Sequence, residues 1–538
     1  MPNPTIRRHV AVVFAALLLV AAGCSHRNTT GPAADNYLRL AMTAEPTTFD
    51  PAMVQDGTTI DMLFQIYEGL VQWTPENKIA PALAKSWDIS KDGRTYTFHL
   101  RDDAKFHSGD PITADDVAYS LSRSLDPKLA SPVAITYLGD IVGAKDYFEC
   151  KAKTLTGVKV VDPTTVQITI AKPKAYWIDI MTYPTGFVVN KKAVAKDPGG
   201  KITDKNTDGS GAFKLDSYQS GVSVELAANT AYYAGAPKIA GQHRSIITDA
   251  QTRHSLYVNG DLDIVDETAG SRDADEQDPA LKSQIKYFPR ASTFYFAFGA
   301  ADAAKLPQFK DVRVRQAFAY ATDKKRIVDV VFAGRRTVAE DILPEGVPGY
   351  DPAFKGIPYD PAKAKALLAE AGYPGGKGFP VVPVSYRESY PDVAKTVDLL
   401  RQMYQENLGV TVQAQQTEWA TLLAANNAGR LPAFHMRWMA DYLDPQDFYS
   451  ILSHTGSEEN HLGYSNPKLD ALCDAADTEQ NEAKRFAMYK DVAKILAQDV
   501  PRIPLYYQRD VELVKPWVTD LSDSLMGHLP YKTLSLKR

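Results

Sequence analysis

The histidines, cysteines and serines of this 538-residue chain do not fall at spacings that support catalysis or metal binding. The motifs Gly-x-Ser-x-Gly, Gly-x-x-x-x-Gly-Lys-Ser/Thr and His-Glu-x-x-His are absent, so the usual serine nucleophile, phosphate loop and zinc site are missing. The ten histidines are scattered, His454 and His461 are not at a usual ligand spacing, and no Cys-x-x-Cys occurs. We therefore predict that the protein is not an enzyme and uses no metal or other cofactor.

Cys24 is the residue at which covalent chemistry is expected. Arg7 and Arg8 precede a short apolar run at residues 10–20, and small residues then lead to Cys24. This order is typical of a secretory signal peptide, and the run is shorter than the roughly 20 residues that cross a bilayer. Residues 20–24, VAAGC, resemble a bacterial lipobox, in which the Cys is lipidated and becomes the new N-terminus. The alternative is a plain signal peptide cut nearby, which leaves a free Cys.

Two further cysteines, Cys150 and Cys473, lie far apart in the chain. An oxidising compartment permits a disulfide between them, but the sequence does not show that their Cα atoms approach each other. Two buried free thiols are the favoured interpretation.

Length and composition favour a large protein of at least two domains. Hydrophobic residues make up 44% of the chain, and single cores stop growing at about 250–300 residues. The net charge is -5 and no long Lys/Arg block occurs, which argues against a nucleic-acid partner.

The apolar patterns predict an α/β chain with mixed short strands and no fixed repeat. Alternation predicts strands at residues 37–42, 96–100, 222–226, 381–386 and 410–415, and two strands around the Asp162-Pro163 turn within residues 157–170. Helical spacing predicts helices at residues 60–71, after the N-cap Thr113, and at 312–332, 361–371, 395–406 and 482–498.

Several separate blocks resemble one protein family. Residues 80–120, which begin APALAKSWDISKDGRTYTFHL, resemble the signature of the bacterial extracellular solute-binding proteins that serve peptide and nickel ABC importers. Residues 210–213 (SGAF), 309–323 (FKDVRVRQAFAYATD), 501–507 (PRIPLYY) and 513–518 (LVKPWV) resemble further blocks of that family, in the expected order. LVKPWV and the regions around Trp419 and Trp438 are similar to the periplasmic oligopeptide-binding branch.

The resemblance implies a periplasmic-binding-protein-like α/β fold with two hinged lobes, three domains and a ligand cleft between the lobes. Residues 1–23 are the expected signal peptide and residues 24–36 a lipidated tether. Domain I is expected in three parts, 37–67, 187–292 and 508–538, with domain II at 68–186 and domain III at 293–507. Because the chain crosses between the lobes more than once, we expect the cleft to close around its ligand.

The resemblance also implies a binding site. A protein that binds many peptides needs a carboxylate for the shared N-terminal ammonium and a strand edge for the shared backbone. Asp441, in the sequence Trp438-Met439-Ala440-Asp441-Tyr442, matches the family's ammonium-binding Asp; an Asp that caps a loop is the alternative.

Other expected contacts carry a structural alternative. The loop Gln55-Asp56-Gly57-Thr58 matches the segment that pairs with the ligand backbone, or is a surface turn. Trp419, Tyr506 and Tyr507 would line the cleft, or pack in the core.

The chain departs from the oligopeptide branch where arginines contact the ligand's C-terminal carboxylate. Asn426 and His435 stand at those positions, and neither carries a permanent charge. Arg430 and Arg437 are nearby substitutes, although neighbouring strand positions face opposite ways. Gly299 also replaces a usual Asn in the aromatic segment that follows Thr293.

The predicted function is a monomeric, lipid-anchored binding protein of the cell envelope that delivers short peptides to an ABC permease and its ATPase. Alternatives from other classes are a binder of a nickel complex, haem, a sugar or an antibiotic, and a peptide sensor without a transport role.

Overall fold

The architecture is that of a computed structural model, which describes residues 36–267, 270–299, 306–388, 390–457 and 459–538. The predicted signal peptide, the lipidation site Cys24 and nearly all of the tether lie outside the described residues.

The described chain alternates helices with strands from one end to the other. The strands are β1 Tyr37–Met42, β2 Val71–Trp73, β3 Ile79–Pro81, β4 Ala84–Ile89, β5 Thr95–Leu100, β6 Val158–Asp162, β7 Thr165–Thr169, β8 Phe213–Gln219, β9 Ser223–Ala228, β10 Gly241–Ile246, β11 Ile264–Asp266, β12 Ile285–Phe298, β13 Thr337–Val338, β14 Val382–Arg387, β15 Val412–Thr417, β16 Ala433–Met439, β17 Arg502–Val514, β18 Val518–Thr519, β19 Asp523–Ser524, β20 Gly527–His528 and β21 Ser535–Leu536.

The α-helices are α1 Gly57–Ile66, α2 Ala114–Ser124, α3 Ala134–Leu138, α4 Ala144–Phe148, α5 Trp177–Ile180, α6 Lys191–Val194, α7 Ala250–Asn259, α8 Arg272–Gln277, α9 Pro279–Lys282, α10 Val312–Tyr320, α11 Lys324–Phe332, α12 Pro361–Glu370, α13 Pro391–Leu408, α14 Trp419–Asn427, α15 Ser450–Ser453, α16 Pro467–Thr478 and α17 Glu482–Asp499. Short 3-10 helices occur at Pro184–Gly186, Pro307–Lys310, Pro374–Gly376, Pro445–Asp447 and Tyr531–Thr533.

Three larger sheets organise these elements. Two have four strands, in the orders β1-β10-β9-β8 and β4-β5-β7-β6. The third has the order β11-β17-β12-β16-β14-β15, with β13 paired to β17. Most pairs are antiparallel, but β1 with β10, β14 with β15 and β14 with β16 are parallel. The mixture of helices and short strands confirms the predicted α/β class.

Two long strands, β12 and β17, form the spine of the third sheet. They pair over most of their length, with register shifts between Pro289 and Thr293 and between Phe294 and Tyr295. Just beyond β12, a Cβ on Gly299 would lie 1.8 Å from the Leu431 carbonyl oxygen. Close backbone approach therefore explains why a glycine stands at this position.

The apolar residues form separate clusters on these sheets. One cluster packs on the first sheet around Leu38, Phe213 and Leu226. A second lies on one face of the third sheet with α10–α13. The largest cluster extends from the second sheet, through Trp177, to Phe434 and Leu452. Continuous apolar contact therefore joins the second sheet to one face of the third.

Most predicted elements are confirmed, and the helix predicted at residues 60–71 is the clearest error. Helix α1 begins at Gly57 and ends at Ile66, and Val71 already starts β2. Thr113 caps α2 through a capping box with Asp116, as predicted.

Both described cysteines are free. Cys473 is buried and Cys150 is exposed, so only Cys473 fits the expected buried thiol. In the described part of the chain, no helix has the length and apolar character needed to cross a membrane.

Candidate functional site

A cavity of about 330 Å³ opens where two strands of the third sheet separate. Strands β14 and β16 pair only at Ser385 and Phe434, and both continue beyond that point. Within the described chain, the edge of β16 at residues 435–439 that faces away from β12 therefore has no strand partner. The carboxyl ends of neighbouring parallel strands are the usual position of a ligand crevice in α/β sheets.

The cavity brings together five of the residues that the sequence assigned to the site. Asp441, Trp438, His435, Asn426 and Trp419 all line it. Helix α14 contributes Trp419 and Asn426, β16 contributes His435 and Trp438, and Asp441 follows two residues after β16 ends.

A network of carboxylates and an arginine holds the loop that carries Asp441. The Trp438 indole N–H donates to Asp447 at 3.0 Å, and the backbone N–H of Asp441 donates to the same oxygen at 3.3 Å. Asp444 caps the next turn by accepting from the backbone of Gln446 at 2.9 Å. The buried Arg485 binds both oxygens of Asp444, one of them at 2.6 Å.

Asp441 and Asp447 form a pair of neighbouring carboxyl groups with raised pKa values. Burial raises the pKa of Asp441 to about 6, and Glu459 adds to the shift while a hydrogen bond from Tyr137 opposes it. Burial and the nearby Asp441 raise the pKa of Asp447 well above its usual value. Asp441 lines the cavity and Asp447 does not, so a ligand cation beside Asp441 would favour the charged form of that carboxyl group.

Two tyrosines from the neighbouring region face Asp441. The rings of Tyr137 and Tyr183 stack with centroids 3.7 Å apart. Burial raises the pKa of Tyr183 to about 12, with further contributions from the negative charges of Asp441 and Asp56. Asp56 and Asp441 therefore both lie near this tyrosine pair.

The sequence analysis predicted a loop at Asp56-Gly57-Thr58, but the structure has a helix that begins at Gly57. The segment does not line the cavity. Asp56 is the N-cap of α1 and accepts from the backbone of Thr59 at 2.9 Å, while Gly57 and Thr58 form the first helical turn. The short side chain of Asp56 satisfies a free N–H at the start of the helix, which favours helix over turn.

Tyr506 and Tyr507 also lie outside the cavity lining. Tyr506 is 1% exposed and stacks on Phe294 at 4.8 Å. The Tyr507 hydroxyl donates to the carbonyl of Asp341 at 3.2 Å. Core packing, the alternative given for both, describes their positions.

Two arginines on the rim supply the positive charge that Asn426 and His435 lack. Arg387 ends β14, and its guanidinium lies 4.6 Å from the ring centroid of Tyr390 and 4.5 Å from that of Trp419. Arg437, on β16, donates to the Gln508 side chain at 2.8 Å. No carboxylate of the described residues forms an ion pair with either arginine. Both line the cavity, whereas Arg430 does not.

The sequence analysis named Arg437 as a substitute but missed Arg387. The signal that could have identified Arg387 is its position directly after the strand predicted at residues 381–386. The two guanidinium groups are close enough for Arg387 to help lower the pKa of Arg437, after the larger effect of burial. Two nearby positive charges on aromatic rings form a suitable site for a carboxylate.

His435 is neutral at physiological pH in this structure. It is 2% exposed, its Nε2 atom has no hydrogen-bond partner in the described chain, and burial lowers its pKa to about 4. Asn426 is also buried, and its side-chain amide makes one long hydrogen bond of 3.4 Å to Asn427. Both side chains keep hydrogen-bonding capacity for a ligand.

The geometry does not indicate a metal centre in the described residues, where no group of three or more His, Cys, Asp or Glu side chains could hold an ion. The family model for bacterial extracellular solute-binding proteins, family 5, matches residues 78–460. The chain belongs to this family of solute-binding proteins.

Curated family 5 relatives of similar length have different ligands in their names. The chain is 31% identical to the probable deoxycholate-binding periplasmic protein YgiS of Escherichia coli, with 88% of each chain covered. It is 31% identical to heme-binding protein A of Haemophilus influenzae, covering 96% of this chain and 97% of that one. It is 30% identical to the periplasmic oligopeptide-binding protein OppA of Escherichia coli, with 88% of each covered.

Solved family structures share the architecture over nearly the whole chain. The unliganded open form of the periplasmic murein tripeptide-binding protein MppA superposes with a TM-score of 0.80 and 26% identity, covering 93% of this chain and 97% of that one. The complex of Haemophilus influenzae OppA with the peptide RPPGFSPFR superposes with a TM-score of 0.73 and 25% identity, covering 94% of this chain and 99% of that one. The multi-domain α/β solute-binding fold expected from the sequence is thereby confirmed.

Proposed function

We propose that this family 5 protein captures short peptides with a free N-terminus and delivers them to an ABC importer. The observation that carries the proposal is the partly buried carboxylate of Asp441, which lines the cavity beside the unpaired edge of β16. An ammonium group at Asp441 and a peptide backbone along β16 would satisfy both features, whatever the side chains of the peptide.

The charges in the cavity favour a zwitterion over the other ligands named among the relatives. Asp441 and Glu459 line the cavity together with Arg387 and Arg437. A peptide offers an ammonium group for the acidic residues and a carboxylate for the arginines. Deoxycholate and haem are anions, and neither has an ammonium group to offset the buried charge of Asp441.

Export, lipidation at Cys24, a monomeric state and attachment to the cell envelope belong to the same proposal. The signal-peptide pattern and the lipobox-like sequence support export and the anchor. Several relatives are periplasmic proteins by name, which supports the compartment.

Native mass spectrometry of the protein purified from cells tests the proposal, with spectra taken before and after mild denaturation. We expect release of a heterogeneous set of short peptides, which also gives their length range. Release of a single bile acid or haem, or tighter binding of added deoxycholate or haem than of trialanine, would contradict it.

A further inference from the structure

The guanidinium group of Arg502 is buried in the cavity wall without a carboxylate partner in the described chain. Arg502 begins β17 and is 8% exposed. One terminal nitrogen donates to the Ser453 hydroxyl at 3.2 Å and the other to the Leu452 carbonyl at 2.6 Å. Its Nε atom has no partner among the described residues.

Most of the other buried arginines in the described chain differ from Arg502 in this respect. Four of them contact a carboxylate, in the pairs Arg123–Asp50, Arg244–Asp61, Arg290–Asp510 and Arg485–Asp444. Arg253 binds two backbone carbonyls instead and does not line the cavity. A buried cation without a counter-ion costs free energy, and a bound anion offsets that cost.

The position of Arg502 in the sheet places it apart from the rim arginines. Arg502 and Phe434 both pair with Ala297 of β12. Because side chains alternate along a strand, Arg502 lies on the same face as Phe434 and Met436. Arg437 lies on the opposite face, 5.9 Å from the ring of Phe294.

Arg502 also borders a second, smaller cavity, but that cavity already contains its own charges. Lys324, Glu340 and Asp341 line it. That cavity holds only about 50 Å³, against about 330 Å³ in the ligand cavity, so the ligand cavity is the side with room for a carboxylate side chain at Arg502.

We propose that Arg502 receives a carboxylate on a ligand side chain, so that the protein prefers peptides that contain Glu or Asp. This inference rests on the proposed peptide-binding function. The peptide's C-terminal carboxylate is assigned to Arg387 and Arg437, which leaves a side-chain carboxylate for Arg502. Burial lowers the pKa of Arg502, as expected for a positive charge that is not yet compensated.

Calorimetry with trialanine derivatives tests the preference. Each position is replaced in turn by Glu and by the uncharged isostere Gln, and the six peptides are titrated into the full-length protein. At one position at least, we expect the Glu peptide to bind at least tenfold more tightly than the Gln peptide. In Arg502→Met the ratio should fall to about one, as expected when a charge-assisted hydrogen bond is lost. Arg502→Lys keeps the charge and should retain part of the preference.

Arg437→Met is the matched control, because it should weaken the Glu and Gln peptides by the same factor. If the wild-type protein binds the Glu and Gln peptides equally at all three peptide positions, the inference is overturned. The proposed peptide-binding function would still stand. If Arg502→Met keeps the wild-type preference for Glu over Gln peptides, another residue binds the side-chain carboxylate and the assignment to Arg502 is wrong. Failure of all six peptides to bind contradicts the proposed function. If Arg502→Met does not fold, the wild-type ratios and Arg502→Lys decide the question.

Discussion

At the scale of single residues, the site depends on a carboxylate that is costly to bury. Asp441 lies beside Asp447 and has no cationic partner in the described chain. Burial of an ionised group without a partner destabilises the free protein, and a ligand ammonium offsets that penalty. Binding energy and instability of the empty site therefore have the same origin.

Asp441→Asn should weaken the binding of trialanine by about 2–5 kcal/mol, because it removes one partner of a buried charge pair. At pH 7 the same change should raise the free energy of unfolding of the empty protein by about 3 kcal/mol, since the pKa of Asp441 is raised from 3.8 to about 6 and each unit corresponds to about 1.4 kcal/mol. Calorimetry and thermal unfolding measure the two effects. Unchanged peptide affinity in a folded variant would remove Asp441 from the site.

The affinity for trialanine should fall as the pH falls through about 6, the pKa of Asp441 in the empty protein. Bound ammonium lowers this pKa, so protons compete with the peptide below pH 6, by up to about tenfold per pH unit. Titrations from pH 5 to 7, below the range in which the α-amino group of the peptide loses its proton, measure the effect. The profile of Asp441→Asn should be shallower than that of the wild type, and equal slopes in the two proteins would contradict the assignment.

At the scale of elements, the proposed backbone contacts with the ligand depend on the unpaired edge of β16. Its other edge is paired with β12, and β14 leaves it after Phe434. A ligand strand would complete the hydrogen bonds of residues 435–439, which gives affinity without selection of side chains.

N-methylation of one internal amide of tetra-alanine should therefore reduce affinity by about 1–3 kcal/mol where that N–H donates to β16. Methylation of an amide that faces away from β16 is the matched control, since it should have a smaller effect. A series of singly methylated peptides, titrated by calorimetry, measures this. Equal affinities across the series would exclude strand pairing as the mode of binding.

The pair Asp444–Arg485 fixes the loop that carries Asp441, and both side chains are buried. Asp444→Asn leaves the guanidinium uncompensated, and we expect the free energy of unfolding to fall by about 3–5 kcal/mol. Asp491→Asn breaks the exposed pair with Lys494 and should change it by less than about 1 kcal/mol. Thermal unfolding compares the two variants, and similar losses in both would contradict this role for the buried pair.

At the scale of the whole molecule, the structure matches an open form better than a peptide complex. Its TM-score is 0.80 against unliganded open MppA and 0.73 against the OppA complex. Asp56 and Asp441 both face the tyrosine pair, yet only Asp441 lines the cavity. Strands β12 and β17, with their register shifts, are the segments expected to bend on closure.

Addition of a saturating peptide should therefore reduce the radius of gyration measured by small-angle X-ray scattering, because closure brings the region around α1 toward Asp441. Asp441→Asn at the same peptide concentration is the control and should keep the open value. An unchanged radius in the wild type, with binding shown by calorimetry, would contradict hinge closure.

The sequence alone determined the α/β class, most of the strands and helices and the family, and it named Asp441 as a candidate ligand-binding residue. These depend on local signals: apolar periodicity, caps such as Thr113, and a short motif in which Trp438 and Asp441 lie close in the chain. The error at α1 was also local, because apolar spacing continued past the residue where the helix ends.

Only the tertiary structure decided which distant residues share the cavity. Arg387 meets Trp419 through strand–helix packing, and Arg502 reaches the same cavity from the start of β17. Among the described residues no carboxylate pairs with Arg502, and this depends on contacts across the fold that no spacing rule reveals. Tyr506 and Tyr507 show the reverse case, since the sequence placed them near the cleft and packing buries them in the core. Local sequence sets backbone conformation, whereas the charge balance of a site depends on how distant elements pack together.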